Sequence, residues 1–293
     1  MKESVSAIFS YKNELFFIKR QSYLKVFPGY FATPGGKVDD TDSNEMSEEL
    51  VGSVFPSHYR PQVLRALIRE VKEELHFDLL KAIKDGLVES IFDVGIAITP
   101  EFNPYRFKNY YFKINLKEKI DFVLDVNEAE CGHWKTAIDF LDMYHRGEML
   151  AVPPAIMLLK EFHKNPRLDS VVELTLPHNP ELEVPMIESI YGVRQFLPLS
   201  NTFPPANRTN SFIIGDDGGD KFLIDPSPKD EIELQKFLRS VDKVGFNKIF
   251  ITHHHPDHYQ FSKEIALKYR VPVYLSEDTF DRIGHDYFEG IDI

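Results

Sequence analysis

An amphipathic stretch from Val63 to Leu75 limits the folds open to this 293-residue chain more than any other segment. Its apolar residues recur at the spacing of one helical face, which predicts a helix with a buried stripe and a charged, exposed side. Glu70, Glu73 and Glu74 stand at positions i, i+3 and i+4, so their carboxylates share one side of that helix. Like charges at this spacing cost about 0.2–0.5 kcal/mol per pair, and a cation is expected to offset them.

A glycine turn is predicted upstream, at Pro34-Gly35-Gly36, where the lack of a Cβ lets backbone approach a ligand closely. This PGG and the REVKEEL sequence at 69–75 together resemble the Nudix box, whose pattern is G-x5-E-x7-R-E-U-x-E-E-x-G-U, with U aliphatic. The resemblance covers residues 1–165 and implies an αβα sandwich. Its matched positions are Gly36, Arg69, Glu70, Glu73 and Glu74.

The chain departs from that pattern at two places. Arg69 follows Gly36 by 33 residues (69 minus 36) where the pattern has 14, so about 19 residues are inserted and the first glutamate of the box has no evident counterpart. Three glutamates could substitute for it: Glu45, Glu48 and Glu49. At the last glycine of the box stands His76, which must accept the helix-ending conformation with strain or end the helix differently.

The Nudix resemblance implies Mg²⁺- or Mn²⁺-dependent hydrolysis of a diphosphate bond, with carboxylate oxygens as the metal ligands. Glu70 and Glu74 are expected to hold the metal, while Glu73 assists or deprotonates the attacking water. The full set is Arg69 and Glu73 for catalysis, Glu70, Glu73, Glu74, Gly36 and Glu130 for the metal, and Arg20, Gly35 and Gly36 for the substrate. Glu130 is preferred to Glu128 as the family's glutamate ahead of a Trp-containing segment.

The substrate is expected to be a nucleoside diphosphate linked to another moiety, as in coenzyme A, a dinucleotide or a nucleotide sugar. The inserted box, the sequence FPGYFATPGG at 27–36 and the pair Pro153-Pro154 before a helix resemble the subgroup of coenzyme A diphosphatases. A rival hypothesis is a non-catalytic Nudix module that senses a nucleotide.

A histidine cluster, HHHPDH at 253–258, directly follows the apolar strand KIFIT. An H-x-H-x-D-H pattern at the end of a strand lets His253 and His255 hold one metal while Asp257 and His258 hold another, and these groups suit Zn²⁺. The cluster resembles the metallo-β-lactamase family over residues 185–293, as does Asp225 at the end of the preceding strand. This resemblance implies a zinc-dependent hydrolase or nuclease, with the Nudix domain accessory, as a further rival.

The second metal site is expected to be incomplete. Only 35 residues follow His258 (293 minus 258), whereas the family's remaining ligands lie further along its sequence. His285 is the only later histidine and is interpreted as a surface residue, and His254 is not expected to bind metal. The domain should therefore be half of an αββα sandwich, with one sheet face left for a partner, a second copy or the first domain to cover.

The predicted organisation is a Nudix domain at 1–165, a proline-rich linker at 166–184 and a partial α/β metallo-β-lactamase-like domain at 185–293. In the first domain we expect strands over 5–9, 14–19, 90–99 and 105–116, and helices over 63–75, 134–145 and 155–163. In the second we expect two strands in SFIIGDDGGDKFLID, a helix over 229–241 and a strand at KIFIT.

Composition excludes several classes of protein. The net charge of -12 disfavours nucleic acid and anionic membranes, and no apolar run approaches the roughly 18 residues of a membrane span. Cys131 is the only cysteine and the first residues lack the apolar core of a signal peptide, so a cytoplasmic protein is expected. A homodimer is compatible with these features.

Overall fold

A hairpin begins the chain, as predicted. Strands β1 (Lys2–Tyr11) and β2 (Glu14–Arg20) run antiparallel around Lys12, whose φ of 54° lies in the left-handed region. The same sheet contains β3 (Phe31–Ala32), β4 (Val88–Ile98), β5 (Phe107–Leu116) and β6 (Ala129–Thr136). Its strand order is β3-β2-β1-β5-β4, with β6 paired along the whole of β2, and only β1 and β5 are parallel among these pairs.

The computed structural model describes residues 1–43, 54–103 and 105–293. These residues form two compact units, Met1–Leu176 and Pro177–Ile293. The division falls within the predicted linker, so the exact domain limits at 165 and 185 remain predictions. Both units mix helices and strands, which confirms the predicted fold class.

Helices cover both faces of the first sheet. Helix α1 (Pro61–Leu75) and the short α2 (Leu79–Lys84) share a core with Phe9 and Phe16 on one face. On the other face, Phe17 lies 4.8 Å from Phe140 between ring centroids. Neighbouring residues of β2 point to opposite faces, as a strand requires, so one strand contributes to both layers of the αβα sandwich.

The helix predicted over 134–145 is shorter than expected. It forms α3 (Ala137–His145), whereas Trp134 belongs to strand β6. Thr136 ends the strand and begins the helix through a capping box. Its hydroxyl accepts from the Asp139 N–H, and the Asp139 carboxylate accepts from the Thr136 N–H. The next helix, α4 (Pro153–Lys164), begins with two prolines in its first turn, where the missing N–H groups cost nothing.

Residues 166–184 pack against the two units. Leu168 and Leu174 are buried in the first unit, where the Val172 N–H donates to the Val94 carbonyl in β4. In the second unit, Val184 is buried and exchanges hydrogen bonds with the Ser240 hydroxyl. The prolines of this segment therefore belong to irregular edges of the two units.

The second unit contains one six-stranded sheet in the order β12-β11-β10-β9-β8-β7. Its strands are β7 (Met186–Ile190), β8 (Val193–Phe196), β9 (Ser211–Ile214), β10 (Phe222–Ile224), β11 (Lys248–Phe250) and β12 (Val273–Tyr274). The pairs β10-β11 and β11-β12 are parallel, and the rest are antiparallel. The helices are α5 (Glu231–Asp242), α6 (Pro256–Tyr259), α7 (Ser262–Tyr269) and α8 (Glu277–Ile283), followed by a 3₁₀ turn at His285–Phe288.

One face of this second sheet forms the core. Phe237 of α5 and Ile265 of α7 pack against it, and both are almost fully buried. Residues on the opposite face, Ile214, Phe250 and Tyr274, are between 36% and 42% exposed. A one-sided sheet of this kind is what half of an αββα sandwich predicts. Across the described parts of both units, no helix combines the length and the apolarity needed to cross a membrane.

Candidate functional site

The Pro34-Gly35-Gly36 turn is fixed to strand β1. The Ala7 N–H donates to the Pro34 carbonyl at 2.7 Å, and the Val5 N–H donates to the Gly36 carbonyl at 2.8 Å. Gly35 has a φ of 149°, and a Cβ on it would lie 2.1 Å from the Val5 carbonyl oxygen. Any other residue would therefore push this turn away from the sheet.

The turn meets helix α1 as the sequence predicts. The Gly35 N–H donates to Glu74 Oε2 at 3.0 Å. A Cβ on Gly36 would lie 2.4 Å from the carboxyl carbon of Glu70. Both glycines thus leave room for carboxylates, and the first also binds one.

Burial makes these two carboxylates expensive to ionise. Glu74 is only 8% exposed, and burial raises its pKa to about 8 although the Gly35 N–H acts in the opposite direction. Burial also raises the pKa of Glu70, and the adjacent Arg69 lowers it. A divalent cation bound by both groups would stabilise the ionised carboxylates, which burial alone disfavours. The two carboxylates therefore fit Mg²⁺ or Mn²⁺.

Arg69 is held by a residue that sequence reasoning missed. The Asp42 carboxylate is buried and accepts from Arg69 Nε and Nη2, both at 3.0 Å. Asp42 stands six residues after Gly36 (42 minus 36), which is the spacing of the first acidic position of the box. Asp42 is therefore a candidate for this acidic position, for which the sequence analysis found no counterpart. The proposed substitutes Glu45, Glu48 and Glu49 lie outside the described residues.

The remaining N–H groups of Arg69 organise the helix glutamates. Nη1 donates to Glu70 Oε1 at 2.8 Å and to Glu73 Oε2 at 3.1 Å, and Nη2 donates to the Lys37 carbonyl at 2.8 Å. Glu73 remains largely exposed, with a side chain 60% accessible. In the described part of the chain, only Asp225 and two histidines bring three ligand atoms within 4.8 Å of one another. The three glutamates share a helix side but do not meet at one point.

Arg20 lies at the edge of this site. Its Nη2 is 3.7 Å from Glu128 Oε2, and the two charges shift the pKa of Glu74 in opposite directions, Arg20 downward and Glu128 upward. Glu130, the preferred glutamate of this segment, instead pairs with Lys19 at 2.9 Å. Glu128 is therefore the one whose charge acts on the buried carboxylate.

His76 ends helix α1 in the left-handed conformation that its glycine counterpart would adopt. Its φ is 48° and its ψ 32°, and its Nδ1 lies 3.0 Å from the Val123 carbonyl oxygen. The first of the two predicted outcomes is thus observed, with the ring bonded to the neighbouring loop. Helix α1 therefore ends in the left-handed conformation although the residue there is not a glycine.

The second cluster is built around Asp225, where strand β10 has ended. Asp225 has a φ of 48° and is buried, and its two oxygens accept from the Thr252 N–H at 2.8 Å and the Thr252 hydroxyl at 2.7 Å. His258 Nδ1 lies 2.8 Å from Asp225 Oδ2. Because a carboxylate can only accept, Nδ1 carries the proton and Nε2 is left to bind a metal.

The two side chains of each predicted ligand pair lie close to each other. His253 Nε2 is 3.2 Å from His255 Nδ1, and His258 Nε2 is 3.8 Å from Asp257 Oδ2. Burial and the neighbouring histidines lower the pKa of His253, so this ring is readily neutral, as a metal ligand must be. The hydrogen bond to Asp225 raises the pKa of His258. Imidazoles and carboxylates in this arrangement fit Zn²⁺.

Comparison with protein families returns one match. Residues 204–292 match the family model of the metallo-β-lactamase superfamily. The matched region contains Asp225 and the whole HHHPDH sequence. The second resemblance seen in the sequence is thus shown for this part of the chain.

Comparison with solved structures returns Nudix proteins. A NUDIX hydrolase from Alicyclobacillus acidocaldarius is 18% identical, covers 57% of this chain and 92% of its own length, and has a TM-score of 0.45. The NUDIX domain of Shewanella oneidensis NrtR, solved with ADP ribose, is 11% identical over 56% and 87%, with a TM-score of 0.39. A C. elegans Ap4A hydrolase is 17% identical over 56% and 96%, with a TM-score of 0.34. These similarities are too distant to assign a substrate.

Comparison with curated proteins returns no significant match. His254 is the variable position of the H-x-H-x-D-H pattern, and His285 lies outside both motifs. His285 is exposed, with its nearest carboxylate, Asp281, 4.0 Å away.

Proposed function

We propose that the first unit hydrolyses a diphosphate bond in a nucleoside diphosphate linked to another moiety, with Mg²⁺ or Mn²⁺ bound. The observation that supports this most directly is the pair of carboxylates placed against the Gly35-Gly36 turn, Glu74 buried and Glu70 half-buried. Burial raises the pKa of both groups, which is the environment that a divalent cation relieves.

Glu70 and Glu74 are the residues that would hold the cation. When bound, it supplies neutralisation of the charge that develops on the diphosphate. Glu73 is exposed to solvent and is oriented by Arg69, so it is the carboxylate that would accept a proton from the attacking water. Asp42 holds Arg69, and Arg69 in turn orients Glu73 and Glu70.

The test is turnover by the purified full chain. With Mg²⁺ or Mn²⁺ present, at least one compound among coenzyme A derivatives, dinucleotides and nucleotide sugars should release a nucleoside monophosphate. The cation should be required, since chelation removes it from both carboxylates. A nucleotide that raises the melting temperature yet remains intact would instead identify a sensing module.

A second candidate activity, zinc-dependent hydrolysis by the second unit, is favoured by a separate observation. Asp225, His253 and His258 place three ligand atoms within 4.8 Å of one another, and the region matches the metallo-β-lactamase superfamily. Measuring bound zinc in protein purified without chelators tests it. Two zinc ions per chain would support a hydrolytic centre, whereas protein that takes up no zinc would exclude one.

A further inference from the structure

Two loops near Glu74 expose several large apolar side chains. On the first loop, Tyr23, Val26 and Phe27 are 65%, 60% and 47% exposed. On the second, Val123 and Val126 are 66% and 72% exposed. We name these five residues the Tyr23 surface. Exposed apolar groups are normal singly, but a group of them next to a site indicates a bound partner or ligand.

Hydrogen bonds place this surface at the edge of the carboxylate site. The Asp125 N–H donates to the backbone carbonyl of Glu74 at 2.8 Å, which joins the second loop to helix α1. Gln21 joins the two loops, because its side chain donates to the Val126 carbonyl at 2.8 Å and its N–H donates to the Glu128 carbonyl at 3.0 Å. Arg20, the residue before it, acts electrostatically on the Glu74 carboxylate. A substrate whose diphosphate lies at Glu74 would therefore have these loops within reach.

The ring of Tyr23 is held in place although most of it is exposed. Its hydroxyl lies 3.1 Å from the Asn127 carbonyl and 3.4 Å from the Val126 carbonyl, so the free end of the side chain is tied to the opposite loop. Phe27 is also constrained: its φ of 50° is rare for a bulky residue, and its ring centroid lies 5.2 Å from that of Tyr30. Both rings are thus ordered before a ligand arrives.

We infer that the Tyr23 surface binds the nucleobase of the substrate, with Tyr23 as the residue that stacks on it. This assignment rests on the proposed function, which puts the diphosphate at Glu70 and Glu74. A fixed aromatic ring with an open face suits a flat π-system, and stacking of a base on such a ring is favourable for every base. A flexible acyl or pantetheine chain would lose more entropy on an open surface than a rigid base does. Tyr23 is accordingly a substrate-binding residue, separate from the groups that act on the diphosphate.

The test compares two ligands that differ only in the base, AMP and ribose 5-phosphate. Equilibrium dialysis with Mg²⁺ measures the affinity of the full chain for each. The wild-type chain should bind AMP at least tenfold more tightly than ribose 5-phosphate. Tyr23→Ala should weaken AMP about tenfold and leave ribose 5-phosphate within twofold, whereas Tyr23→Phe, which keeps the ring, should stay within threefold for both. Tyr105→Ala is the matched control, because Tyr105 is another exposed tyrosine of this unit, 78% accessible.

Each result decides the inference. Equal binding of the two ligands by the wild type, no binding of AMP, or a Tyr23→Ala variant that keeps the preference for AMP would overturn it. Loss of both ligands together with a lower melting temperature would also count against it, because the role of Tyr23 would then be structural. Turnover of a diphosphate with a base preference independent of Tyr23 would remove this inference and leave the proposed function. If the preference for AMP depended on Tyr23 but the chain hydrolysed no diphosphate, the proposed function would fail and the assignment of Tyr23 to the base would remain.

Discussion

The two units assemble acidic and metal-binding groups in different ways. In the first, the groups lie along one helix, and an arginine, Arg69, already neutralises part of their charge. In the second, the groups lie on the connection after strand β11, and a buried carboxylate, Asp225, fixes one of the histidines. Only the second arrangement brings three ligand atoms within 4.8 Å among the described residues.

This difference implies that metal binding depends on the substrate to a different extent in the two units. A site with two convergent carboxylates suits Mg²⁺, which keeps several waters and usually binds through one or two carboxylates plus substrate phosphates. A site with preplaced imidazoles suits Zn²⁺, which binds protein ligands without help from a substrate. We therefore expect metal affinity to rise with substrate in the first unit and to be independent of substrate in the second. Substitutions in each unit test this contrast.

The largest effect is expected from Glu73→Gln. Removing a general base typically costs 10²–10⁴ in rate, so kcat for diphosphate hydrolysis should fall about 10³-fold while zinc binding by the second unit stays unchanged. Steady-state kinetics with the best substrate measures it. Glu148→Gln serves as the control, since Glu148 is an exposed glutamate paired with Arg146 in the same unit. A kcat within threefold of wild type would move the proton-accepting role to another residue.

Gly36→Ala should come next. The new Cβ would lie 2.4 Å from the Glu70 carboxyl carbon, so the carboxylate must move away while the backbone can stay. A misplacement of about 1 Å can cost about 10²-fold in rate, and we expect a loss of that size with a melting temperature changed by only a few degrees. Gly219→Ala is the control, because the nearest atom to its added Cβ is 3.9 Å away. Unaltered activity would show that Glu70 need not sit against the turn.

The sequence was sufficient for the parts of the site that lie close together in the chain. Helical spacing placed Glu70 and Glu74 on one side of α1, and PGG predicted the turn that faces them, because both depend on local geometry. Asp42 was missed although its distance from Gly36 fits the pattern. The pattern specifies a glutamate at this position, and the insertion separates Asp42 from Arg69 in the sequence although the two side chains are in contact.

Contacts between distant segments that lie outside the resemblance to the Nudix box could not be predicted. The preference for Glu130 over Glu128 turned on sequence order, whereas their charge environments depend on how β6 pairs with β2 and on the positions of Lys19 and Arg20. The role of Asp225 in orienting His258 likewise depends on β10 and β11 lying side by side. Periodicity carries no information about such pairing.

Asp225→Asn should weaken zinc binding by the second unit. Asparagine tolerates the φ of 48° and keeps the shape of the side chain, but it removes the charge that orients His258. Loss of such an orienting partner typically costs 10–100-fold in metal affinity, and we expect that range in competition with a chelator. Asp220→Asn, an exposed residue paired with Lys248, should leave the affinity unchanged. Equal zinc binding by wild type and Asp225→Asn would show that the histidines hold metal without it.

The smallest effect is expected in the pH dependence of stability of the metal-free chain. Burial raises the pKa of Glu74 to about 8, above the value near 4.5 of an unburied glutamate, so between these values the folded state binds the extra proton. The contribution of Glu74 to the free energy of unfolding should therefore be greatest below about pH 4.5 and should decline as the pH rises to 8. Glu74→Gln removes the titration, and with chelator at pH 8 it should melt about 2–4 °C above wild type, a shift equal to roughly 1 kcal/mol. Adding Mg²⁺ should make the wild type melt at a higher temperature than Glu74→Gln, because only the wild type keeps both carboxylates that bind the cation. If wild type and Glu74→Gln showed the same pH profile in chelator, the buried carboxylate would not be a strained group awaiting a cation, and the contrast with the histidine site would lose its physical basis.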